Sequence, residues 1–96
     1  MQWVNDMGEV AREIETRLMA ALAPTRLEVI DDSEKHRGHA GHDGRGESHF
    51  TVVIESEAFV GKSRVARQRA VYAALGELMQ ARVHALAIRA AAPGGA

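Results

Sequence analysis

One stretch decides most of what this chain can fold into: residues 48–69, SHFTVVIESEAFVGKSRVARQR. Phe50, Val52 and Ile54 alternate with Thr51, Val53 and Glu55. That period of two is the pattern of a strand with one buried face. Glu57 to Gly61 form a turn, and a helix follows Lys62-Ser63. Ser63 suits the N-cap, since its hydroxyl can accept an orphan backbone N–H of the first turn. Val65, Val71, Leu75 and Leu78 then recur at roughly helical spacing. Val83 to Arg89 reads as a second strand, with His84, Leu86 and Ile88 on one face and Ala85, Ala87 and Arg89 on the other. Strand, helix and strand make a compact crossover unit, and the remaining segments must pair with it or pack on it.

Upstream, Asp6 with Glu9 three residues later suggests a capped helix start. Val10, Ile14, Leu18 and Ala21 make an apolar stripe, flanked by Arg12, Glu13, Glu15 and Arg17. Pro24 ends the helix. Trp3 precedes the cap, at a terminus expected to be mobile. Leu27 to Asp32 is a short strand, Leu27 and Val29 facing one way, Glu28 and Ile30 the other. Residues 33–47 hold four glycines and three histidines in fifteen positions and can anchor no core. They predict a flexible loop joining two strands of a long antiparallel hairpin, and loops of this length are often functional. Gln80 to Arg82 link helix to last strand, and the tail from Ala91, with Pro93-Gly94-Gly95, is expected to be disordered. The order is helix, strand, strand, short turn or helix, helix, strand. Each strand has one apolar face, so two layers follow.

Ninety-six residues make a single α/β domain of the α+β kind, its core spanning about 8–92 and its tail 93–96 outside it. A net charge of −1 confines any nucleic-acid contact to a local patch. There is no cysteine, hence no disulfide and no thiolate ligand from this chain. No apolar run approaches the length of a membrane span. The first ten residues lack the apolar segment of a secretory signal, so a cytoplasmic location is expected.

Two groups of side chains could carry chemistry. His36, His39 and His42 recur every three residues in the loop, and His84 opens the last strand. Imidazole suits iron, zinc and copper, but by itself this run is a weak metal signal and reads first as a solvated polar loop. Lys62, Arg64, Arg67 and Arg69 form a basic ridge on the helix start, with no acid between Glu57 and Glu77. Phosphate contacts, an acidic partner or plain solvation would each use such a ridge. The Gly61-Lys62-Ser63 run resembles the end of a phosphate-binding loop, but position 56 is Ser56 where the upstream glycine belongs, so nucleotide binding is rejected. An enzyme is not expected. No nucleophile–base pair is evident, and adjacent Asp31 and Asp32 do not make the opposed carboxylates that hydrolysis needs.

LEVIDDS before the loop, SHF with the AFVGKS turn, and VHALAI together resemble the BolA family over about residues 9–92. The resemblance implies the class II KH-like arrangement, α-β-β-α-α-β, with a three-stranded mixed sheet and helices on one face. It also implies a monothiol glutaredoxin partner and a shared [2Fe–2S] cluster, whose thiolates come from the partner's cysteine and from glutathione. By the same resemblance, His84 is one ligand and His36 the loop ligand. His39 matches a second loop position, and His42 has no counterpart. Two imidazoles on one iron would raise its potential. His49, in SHF, matches a common family residue and is expected to be structural, hydrogen-bonded near the sheet end. Some family members are DNA-binding transcription regulators, a role the ridge Lys62, Arg64, Arg67 and Arg69 could serve. Gln68 stands where many members carry histidine, which weakens a role for that position. Alone, the chain is expected to be a monomer or weak homodimer.

Overall fold

The computed structural model of the chain describes residues 8–32 and 49–94. The loop 33–47 with His36, His39 and His42, and also Trp3 and Asp6, lie outside the described residues. Helix α1 spans Glu9–Leu22, strand β1 Arg26–Asp31 and strand β2 His49–Glu55. A 3₁₀ turn over Glu57–Phe59 leads to helix α2, Arg64–Leu75, helix α3, Leu78–Ala81, and strand β3, Ala85–Ala91. The sheet order is β1-β2-β3, with β1 antiparallel and β3 parallel to β2. This is the mixed three-stranded sheet that the family resemblance implies, and α1 and α2 pack on one of its faces.

Alternation builds that face. Phe50, Val52 and Ile54 of the central strand are each at most 2% exposed, whereas the residues between them are half-buried. The register carries the same parity across the sheet: Leu27, Ile54 and Ala90 form one row, Val29, Val52 and Ile88 the next. Against these rows lie Val10, Ala11, Ile14 and Leu18 of α1 and Val71 and Leu75 of α2. Leu86 and Ile88 are half-buried, as edge-strand positions, and Ala85, Ala87 and Arg89 are exposed on the other face.

Several expected boundaries shift. Position Gly8 caps α1, without a side-chain cap bond. Ala21 has the angle of the apolar stripe but is exposed, because Leu22 makes the core contact in the last turn. The helix stops at Ala23, which takes the left-handed φ 43° with its N–H on the Met19 carbonyl, and Pro24 behind it disfavours right-handed helical backbone at that position. Val65 is 54% exposed, not part of the buried stripe. It lies six residues before Val71, roughly a third of a turn out of line. Gly76, at φ 56°, breaks the helical run that Val71, Leu75 and Leu78 suggest into α2 and α3. Strand β3 starts two residues later than read from alternation and runs to Ala91, and Ala92 behind it is buried, so the ordered chain continues past the expected start of the tail.

Three polar side chains tie the elements together. The Ser56 hydroxyl, wholly buried, donates to the Leu22 carbonyl at 2.6 Å and accepts from the Ala58 N–H at 3.0 Å. The carbonyl it reaches is an orphan of the α1 C-terminus. Arg17 pairs with Glu13 and donates to the Leu75 carbonyl at 2.7 Å, joining α1 to the end of α2. Arg67 donates to the Lys62 carbonyl and to the Ala90 carbonyl, both at 3.1 Å, joining the start of α2 to the end of β3.

Candidate functional site

The site at the head of the parallel strand pair is set by main-chain register. His49 is the first residue of β2 and pairs with Ala85, the first residue of β3. The His49 carbonyl accepts from the Asp32 N–H at 2.7 Å, continuing the antiparallel ladder one step beyond β1. On the segment leading into β3, Val83 is 5% exposed and belongs to the core. With Val83 pointing inward and β3 beginning at Ala85, His84 falls on the connection and is exposed. It therefore precedes the strand and does not share the half-buried environment of Leu86 and Ile88. The reason is local: Val83 occupies the anchoring position that alternation alone would leave unassigned.

Two histidines thus meet at one sheet end. The ring centroids of His49 and His84 are 6.0 Å apart, with planes at 88°. Edge-to-face contact at that distance is an ordinary aromatic arrangement. Both rings can also act as nitrogen donors to a borderline metal ion. Sequence reading names His84 and leaves His49 as a structural residue. The signal for their proximity is long-range: it needs the parallel register of β2 on β3. Among the described residues, no three His, Cys, Asp or Glu side chains converge in a metal-holding group. The imidazole pair therefore leaves further donors to be supplied from elsewhere.

The basic ridge divides in two. Ser63 caps α2, accepting from the Ala66 N–H at 3.1 Å, and Gly61 turns the chain at φ 79°. Lys62, Arg64 and Arg69 are exposed around that turn and first helical stretch. Arg67 is half-buried, its guanidinium bonded to two carbonyls, so it supports the fold where the others face outward. Val65 and Tyr72, also exposed, stand beside Arg69 on the same helix face. Ser56, read from the sequence as the residue that spoils a phosphate loop, is wholly buried in a structural role.

Fold and site define a small α/β domain with an exposed imidazole at the open end of a mixed sheet and a basic helix start beside the opposite end of β3. The family model for BolA-like protein matches residues 18–94, and the chain belongs to the BolA family. A Sinorhizobium protein described as an uncharacterized protein in the cobS 5'region is 54% identical over 82 residues, covering 84% of this chain and 88% of that one. The DNA-binding transcriptional regulator BolA of Escherichia coli is 42% identical over 79 residues, covering 82% and 71%. The solved BolA domain of SufE1 from Arabidopsis thaliana superposes with a TM-score of 0.80 at 42% identity, covering 93% of this chain and 98% of that one. Among the described residues no helix is long and apolar enough to cross a membrane.

Proposed function

We propose that this chain partners a monothiol glutaredoxin in the assembly, transfer or sensing of a [2Fe–2S] cluster, with His84 as one iron ligand. The observation that carries the reading is the exposed His84 imidazole at the sheet end of a BolA-family chain that has no cysteine. Such a chain can complete a cluster with imidazole but cannot hold one with thiolates, so the sulfur ligands come from the glutaredoxin and from glutathione. His36, with His39 as the alternative, enters the proposal as the loop ligand through the family resemblance. The cluster is cargo shared between two proteins, and the role assigned to this chain is binding and orientation, not catalysis. The test is co-expression with a monothiol glutaredoxin, followed by size-exclusion chromatography with visible and circular dichroism spectra. The expected result is a coloured mixed complex whose spectrum differs from that of the glutaredoxin cluster alone. Elution of this chain apart from an unchanged glutaredoxin spectrum would refute it.

A second reading, DNA binding, is favoured by a different observation. Lys62, Arg64 and Arg69 are exposed along a stretch with no acid between Glu57 and Glu77, and a curated relative is named a DNA-binding regulator. Phosphate contacts by these residues predict that each change to Ala weakens duplex binding equally on all sequences and lowers the salt slope by about one. No binding to duplex DNA at low salt removes this reading.

A further inference from the structure

The pair at the sheet end supports more than a single ligand. His49 and His84 are brought together by the register of β2 on β3, seven paired positions running from His49 with Ala85 to Glu55 with Ala91. The sheet therefore fixes the backbone of His49 and holds His84 one residue before the paired Ala85. With metal–nitrogen bonds of about 2.0–2.1 Å, two imidazoles on one ion place their ring centroids roughly 4.5 Å apart at a right angle, about 5 Å at a tetrahedral angle and about 6.4 Å when opposite one another, so a turn of the exposed ring is needed to close the pair on an ion. The observed separation is 6.0 Å. His84 is exposed and His49 half-buried, and the exposed ring can turn to aim its nitrogen. Neutral imidazole prefers borderline divalent ions over hard ones.

We propose that His49 and His84 together form a two-imidazole site for a borderline divalent transition-metal ion on this chain alone. Water, or a donor from a bound partner, completes the coordination. The site is independent of the cluster reading, because it requires neither glutaredoxin nor glutathione. It assigns His49 a ligand role in addition to its place at the start of the sheet. A divalent ion held there would occupy the same imidazole that the mixed complex needs, so metal binding and cluster sharing would exclude each other at His84.

The experiment uses Ni²⁺ as the probe and the full chain with the loop substitutions His36→Ala, His39→Ala and His42→Ala. Ni²⁺ is titrated calorimetrically at neutral pH into this chain and into versions that also carry His49→Gln or His84→Gln. Saturable binding that weakens at least about tenfold with either further change is the expected result, since loss of groups around a metal site commonly costs that much. Undiminished binding after His49→Gln, or no binding in the loop-substituted chain, overturns the proposal and leaves the rings as a packing contact only. A second measurement serves if the glutamine variants fail to fold. In the unaltered chain, substoichiometric paramagnetic Ni²⁺ should broaden the His49 and His84 ring resonances together. Broadening confined to His36, His39 and His42 overturns the pair. Because glutaredoxin is absent throughout, failure here does not touch the mixed-complex reading, and failure there does not touch this one.

Discussion

Replacing Ser56 by Ala should destabilise the domain far more than a one-atom deletion suggests. The side chain is wholly buried and makes two hydrogen bonds, to the Leu22 carbonyl at 2.6 Å and from the Ala58 N–H at 3.0 Å. Each such bond contributes a net ~1 kcal/mol, but a buried group left without its partner costs about 1–3 kcal/mol. Ala58 is exposed, so water can recover its N–H. The Leu22 carbonyl, at a half-buried helix end, recovers less. The expected loss is therefore about 2–3 kcal/mol. In a domain of this size that lowers the melting temperature by roughly 10–20 °C. Thr25 provides the control, because its hydroxyl also donates to a backbone carbonyl, that of Glu55 at 3.2 Å. There the same carbonyl already accepts from the Thr25 N–H at 2.8 Å and the site is exposed, so nothing is orphaned by Thr25→Ala. That change should stay within about 0.5 kcal/mol. Denaturant titration followed by far-ultraviolet circular dichroism measures both. Equal losses at the two positions, or a loss below about 0.5 kcal/mol at Ser56, would refute the reasoning from burial.

Phe59→Ala removes a wholly buried ring from the 3₁₀ turn and should cost about 3–5 kcal/mol in the same titration. Arg67→Ala frees the Lys62 and Ala90 carbonyls and should lower stability by about 1–3 kcal/mol, whereas Arg64→Ala, at an exposed position, should leave stability within about 0.5 kcal/mol. Gly76→Ala forces a Cβ into φ 56°, ψ −134°, so a loss of about 1–3 kcal/mol is expected although only an Arg17 side-chain atom lies near. A melting temperature unchanged by Gly76→Ala would show that the α2–α3 break tolerates another backbone.

The alternation of Phe50, Val52 and Ile54 made the central strand and its buried face legible, and Ser63 announced the start of α2. The same parity, carried one step further, reaches Ser56. Its burial was thus available from the pattern, but the residue type drew attention to a phosphate loop instead. Phe59 falls in a turn where no period applies, and only tertiary contact places it in the core. Arg67 looked like its neighbours Arg64 and Arg69, since charge runs carry no record of which guanidinium finds backbone carbonyls. The resemblance carried by the VHALAI run singles out His84, yet its exposure depends on Val83 taking the buried position before the strand. Its meeting with His49 depends on parallel pairing between segments 36 residues apart in register, and local sequence does not encode that. Apolar spacing continues through Gly76 and gives no sign of the break, whereas its positive φ ends the helix.

The central claim is that His84 supplies a ligand to a cluster shared with a monothiol glutaredoxin. Its most direct test compares the mixed complexes formed by the unaltered chain and by His84→Ala, using visible circular dichroism and the lifetime of the cluster under a chelator. The account predicts that His84→Ala shifts the spectrum toward that of the glutaredoxin-only cluster and shortens the lifetime of the mixed complex. A spectrum and lifetime identical to those of the unaltered complex would contradict it.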